Sequence, residues 1–171
     1  MKRFILLSIC CLAGIFMANA QKFALIDMEY IMENIPAYQL ASNELNLASQ
    51  QYQKAIEAKM KEAEALYTAY QKSSSTLSAA QRTQKEEAIV AKEKEAAELR
   101  QKYFGPEGEM AKKEEALIAP IQNQIYEVVK MISQQRGYDA VIDRASATSV
   151  IFASPRIDIS NEVLSKLGYS N

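Results

Sequence analysis

The chain has 171 residues, 20 Lys and Arg against 21 Asp and Glu, no His, no Trp and two Cys. One modest domain fits that length, and near-balanced charge gives no footprint for nucleic acid. Without His, and with both Cys inside the first eleven residues, the rest of the chain lacks the side chains most used as metal ligand, general base or thiol nucleophile.

Residues 1–20 read as a signal peptide. Lys2 and Arg3 form a positive start, Phe4 to Met17 an apolar stretch, and Ala18-Asn19-Ala20 a small-residue cleavage motif. Cleavage after Ala20 and export are therefore expected, and Cys10 and Cys11 leave with the segment. Loss of Lys2 and Arg3 takes the formal charge from −1 to −3.

Lys22-Phe23-Ala24-Leu25-Ile26-Asp27 is an apolar run with a polar stop, the pattern of a short buried strand. A helical turn over Met28 to Asn34 ends before Pro36, which suits the start of a long helix. From Tyr38 to Tyr103 the chain is a helical hairpin, an arm of two limbs. In the first, Leu45, Ala48, Tyr52, Ile56, Met60, Ala63, Leu66 or Tyr67, and Tyr70 recur at helical spacing. In the second, Ala88 or Ile89, Lys92, Ala96, Leu99 and Tyr103 do. Residues 73–78, rich in hydroxyls, form the tip, and Ser78 with Gln81 fits a capping box. A limb of roughly 35 residues reaches roughly 50 Å, and its narrow, Ala-rich stripe joins two helices without making a large core.

Phe104-Gly105-Pro106-Glu107-Gly108 breaks the arm; Glu109 and Met110 follow where a phosphate loop needs Lys and Ser or Thr. Leu117, Ile121, Ile125 (or Gln124), Val128 and Ile132 mark a body helix, with Pro120 bending it or opening its main part and Gly137 closing it. Residues 138–143 and 148–153 are β-branched runs that read as an antiparallel hairpin, with the N-terminal strand paired to it. Pro155 ends the hairpin, and Asp158 or Ser160 caps a last helix stopped by Gly168. The fold class is α+β: a small β-sheet body from residues 21–37 and 104–171, and a protruding helical-hairpin arm over 38–103. So thin a body is expected to oligomerise, with Ile26, Val141, Ile142, Ile151 and Phe152 as its shared core.

In this order the segments resemble the Skp/OmpH family: the signal peptide, residues 22–27, the Lys/Glu/Gln/Ala arm, Gly137 to Asp143, Asp158-Ile159-Ser160 and Val163-Leu164. Phe104 to Gly108 and Ile151 to Pro155 are similar to the Bacteroidetes-type branch. The resemblance implies a periplasmic, ATP-independent holdase chaperone without cofactor. It also implies a jellyfish-like homotrimer whose arms enclose unfolded outer-membrane proteins, with transient membrane-surface contact left open. The best-known members are strongly basic, whereas from Lys54 to Lys102 this arm holds ten Lys and Arg against eight Glu. Only the tip is one-signed, at Lys72, Arg82 and Lys85, so lipopolysaccharide binding is not carried over.

Met60, Leu66, Tyr67 and Tyr70 are the candidate client contacts, since flexible and amphipathic side chains suit a promiscuous surface. Asp27, Asp139, Asp143 and Asp158 are the carboxylates that an enzyme reading would use, but they stand where turn and capping roles are expected. The rival to a chaperone is an exported coiled-coil spacer or envelope adaptor.

Overall fold

The computed structural model describes residues 21–147 and 149–169; the expected signal segment and Thr148 lie outside them. The chain is mostly helical, with a small two-stranded sheet and a long helical hairpin. It divides into two compact units, one from residues up to Asn34 with Gln124–Asn171, the other Ile35–Asn123.

In the first unit, β1 (Phe23–Ile26) is followed by α1 (Met28–Glu33), capped by Asp27, whose Oδ1 accepts from the Tyr30 N–H at 2.9 Å. β2 (Ala140–Asp143) pairs with β1 in parallel, from Phe23 opposite Ala140 to Ile26 opposite Asp143. The expected antiparallel hairpin does not form, and 149–153 is not a strand. The turn after β2 explains why. Asp143 Oδ1 accepts from the Ala145 N–H, the Ala147 N–H bonds to the Asp143 carbonyl, and the Val150 N–H bonds to that of Ala147. These local bonds turn the chain after Asp143, and among the described residues the run at 149–153 has no strand partner. β-Propensity without a partner makes no ladder.

The core of this unit is Ala24, Leu25, Ile26, Ile31, Ile125, Ile132, Val163 and Leu164, all buried. Ile125 and Ile132 come from the second part of α4 (Glu109–Arg136), a helix that starts earlier than its apolar pattern and contains Pro120. Gly137, at φ 66°, ends it, and the Tyr138 N–H closes back on the Ser133 carbonyl at 3.0 Å, a cap that favours glycine. Ser160 opens the last helix, α5 (Ser160–Lys166), but does not cap it. Asp158 accepts from the Ser160 N–H, while the Ser160 hydroxyl accepts from the Asp27 N–H at 2.9 Å, tying β1 to α5.

The second unit is the hairpin. α2 (Pro36–Ser73) has 38 residues and α3 (Ala79–Phe104) has 26, which at 1.5 Å per residue is about 57 Å and about 39 Å. Pro36 stands in the first turn of α2, and Ser78 with Gln81 makes the reciprocal capping box of α3. A 3-10 turn at Ser74–Thr76 joins them. Ala41, Ala48, Ile56 and Ala63 of α2 and Ile89 and Ala96 of α3 are buried, a seam mostly of seven-residue steps. After α3, Gly105 and Gly108 make a turn without room for a side chain. A Cβ on Gly108 would lie 2.8 Å from the Tyr103 carbonyl oxygen and 2.9 Å from backbone atoms of Gly105.

Candidate functional site

Halfway along the hairpin four charges lock the limbs. Lys59 Nζ lies 2.9 Å from Glu95 on α3, and Lys92 Nζ 3.0 Å from Glu62 on α2; Lys59–Glu62 and Lys92–Glu95 pair within their own helices. The hydrogen bond from Lys92 holds Glu62 below the usual carboxylate range, as that from Lys59, then Lys92, holds Glu95. Glu62, followed by Glu95, holds Lys92 above the usual ammonium range. Towards the open end of the hairpin the Tyr52 and Tyr103 rings stack at 4.1 Å, with Phe104 edge-on to Tyr52 at 6.2 Å. The Tyr52 hydroxyl donates to Glu109 at 3.1 Å, which raises its own pKa. With the seam carrying the packing and the quartet fixing the register, side chains beside the seam are free to face outward.

They line two open grooves on the hairpin surface. One, of about 390 Å³, has Met60, Ala63, Tyr67, Ala96 and Ala97 as its apolar lining, with Glu64, Glu93 and Arg100. The other, of about 330 Å³, is lined by Gln53, Ile56, Glu57, Met60, Arg100 and Phe104. Met60 and Arg100 belong to both. Met60 is 51% exposed, Tyr67 49% and Phe104 40%, so the large apolar groups stand out from their own packing. Grooves with small-residue floors and flexible or aromatic walls bind apolar chain by shape rather than by fixed polar groups.

Of the expected client contacts, the structure brings Met60 and Tyr67 together in one groove. Leu66 is 38% exposed but does not line it, and Tyr70 gives its hydroxyl to Glu86 across the hairpin. Phe104 and Arg100 were not among the sequence candidates. Arg100 and Phe104 lie seven and eleven residues after Glu93, on its face of α3, a periodicity a single-helix reading offered. Lys72, Arg82 and Lys85 are exposed at the tip and make no ion pair among the described residues.

In the sheet unit, Ile26 is buried and Val141 half-buried, Ile142 is 38% exposed, and Ile151 and Phe152 are 100% and 86% exposed. Two of the four noted carboxylates, Asp27 and Asp158, meet at Arg144, which sequence reasoning did not single out. Its guanidinium reaches Asp27 at 3.1 Å and Asp158 at 3.3 Å, its N–H bonds to the Ile26 carbonyl, and Asp143 accepts from the Met28 N–H at 3.0 Å. Asp139 accepts from the Lys22 N–H. These carboxylates cap and tie chain ends, and among the described residues no group of His, Cys, Asp or Glu is placed to hold a metal. No described helix is long and apolar enough to cross a membrane.

A long helical hairpin bearing open apolar grooves and a small parallel-sheet unit define the fold of the described residues. The family model of OmpH-like outer membrane proteins matches residues 22–167, and the chain belongs to that family. Among solved structures it is similar to an OmpH-like protein from Caulobacter crescentus CB15 that is proposed to be an outer membrane chaperone. The identity is 14% and the TM-score 0.63, over 86% of this chain and 83% of that one, which is a likeness of fold. No curated protein sequence matches.

Proposed function

We propose that the protein is an ATP-independent periplasmic holdase that binds unfolded outer-membrane proteins along its helical arms and keeps them from aggregating. In this reading the signal peptide is cleaved after Ala20. Residues 21–37 and 104–171 form a body that assembles three copies, and residues 38–103 form the client-holding arm. The groove pair that shares Met60 and Arg100 carries the proposal, because it offers an unfolded chain an exposed apolar track without a closed pocket. Membership of the OmpH-like family, and a fold shared with an OmpH-like protein proposed to be a chaperone, support it. Several shallow tracks in one assembly hold a client through effective concentration, so release needs no energy source.

The test is light scattering of a denatured β-barrel protein diluted into buffer without nucleotide. Mature protein is expected to suppress scattering. Replacing Met60 and Tyr67 with Ser should weaken that more than replacing Lys72, Arg82 and Lys85 with Gln. Failure to suppress scattering at any stoichiometry returns the chain to a structural spacer.

A further inference from the structure

The walls of the arm grooves carry a charge pattern of their own. Along α2, Glu57, Met60, Glu64 and Tyr67 follow at intervals of three and four, so acid and apolar groups alternate down one stripe. Across from it on α3 stand Glu93 and Arg100. One helical turn away, Glu62 and Glu95 are neutralised by Lys59 and Lys92. Glu57, Glu64 and Glu93 have no such partner: among the described residues none of the three makes an ion pair, and all are exposed. With Arg100 as the single cation lining either groove, three carboxylates leave this surface net negative.

Resting on the holdase reading, we infer that these grooves select unfolded segments in which apolar or aromatic residues are bracketed by lysine or arginine. Glu57 and Glu64 are seven residues apart on one helix face, about 10.5 Å along the axis. An extended chain rises about 3.3 Å per residue and turns alternate side chains to one face, so cations four positions apart stand about 13 Å apart on that face, a difference the length of a lysine side chain absorbs. A segment of the form Lys-Gln-Phe-Gln-Lys lays Phe against Met60, Ala63 and Tyr67 while each ammonium reaches one carboxylate. The Tyr67 face adds a surface for a passing cation. A segment bracketed by Glu meets repulsion at the same points.

Fluorescence anisotropy of labelled peptides titrated with the full mature protein tests this, using one apolar core flanked by Lys, by Gln or by Glu. The Lys peptide should bind about fivefold or more tighter than the Glu peptide at low ionic strength. The ratio should shrink towards one at about 1 M salt, where the screening length falls to about 3 Å. The triple change Glu57→Gln, Glu64→Gln and Glu93→Gln should remove the preference while leaving the Gln peptide's affinity in place. A preference for the Glu peptide, or a Lys preference that survives the triple change, overturns the inference. So does a triple variant with an altered sedimentation coefficient, which makes the grooves an interface between copies. Wild type that suppresses barrel aggregation yet binds no peptide overturns this inference alone; wild type that does neither overturns the holdase reading with it.

Discussion

Ile151 and Phe152 are the sharpest test of the proposed assembly. In the single chain their side chains contribute nothing to the core, being 100% and 86% exposed. Replacing both with Ser should therefore leave the folded protomer within about 0.5 kcal/mol of wild type, the usual range for surface changes. If copies assemble by covering this pair, each side chain buried contributes about 1.5–3 kcal/mol. The double change then costs about 3–6 kcal/mol per protomer, and at 1.4 kcal/mol per factor of ten the dissociation constant rises by two to four orders of magnitude. Sedimentation velocity over a concentration series reads the assembly, and far-ultraviolet circular dichroism reads the fold. The expected result is a helical, monomeric variant beside an oligomeric wild type. A wild type that stays monomeric at micromolar concentration, or a variant that assembles unchanged, refutes the reasoning.

Ser160→Ala leaves the Asp27 N–H without its acceptor at 2.9 Å, and should cost about 1–3 kcal/mol in urea unfolding; Ser160→Thr, which keeps the hydroxyl, should cost less. Gly108→Ala puts a Cβ against the Tyr103 and Gly105 backbone, and should lower the thermal midpoint, seen by circular dichroism, more than Glu107→Ala. Because Glu62 and Glu95 have lowered pKa values, their contribution to hairpin stability is complete above the unfolded carboxylate value of about 4.3. It is lost as pH falls through that value and then through the lower folded ones. Thermal melts from pH 7 to pH 3 should show that loss, and Glu62→Gln with Glu95→Gln should flatten the slope. Lys92 works in the opposite sense: its raised pKa contributes stability below about 10.4, lost as pH climbs through the folded value.

Much of the hairpin was legible because its determinants are local. Ile56, Ala63, Ile89 and Ala96 repeat at helical spacing within one limb each, Ser78 and Gln81 are three residues apart, and Gly105 to Gly108 concentrates its turn chemistry in a few positions. The sheet was harder for the opposite reason. β1 and β2 are separated by more than 100 residues, and the choice between that parallel pairing and a local antiparallel hairpin depends on the turn after Asp143. A β-branched run at 149–153 looks the same whether its partner lies in the chain or outside it. Arg144 was overlooked for a related reason: it gathers Asp27 and Asp158 only after β1, β2 and the entry to α5 have met.

The grooves depend on register more than on composition. Read alone, the α2 stripe places Met60 and Tyr67 equally well in a seam or on a surface, since both lie within one turn of buried Ala63. Ala63 and Ala96 are small enough to bring the limbs together at that level. Lys59–Glu95 and Lys92–Glu62 then fix which residues of α3 stand opposite. That register sets Ala96, Ala97 and Arg100 beside Met60 and leaves Tyr67 and Phe104 walling the two grooves. A longer side chain at Ala96 would separate the limbs and fill the floor at once. The small residues that make the hairpin's seam thin are thus the ones that leave open grooves on its surface.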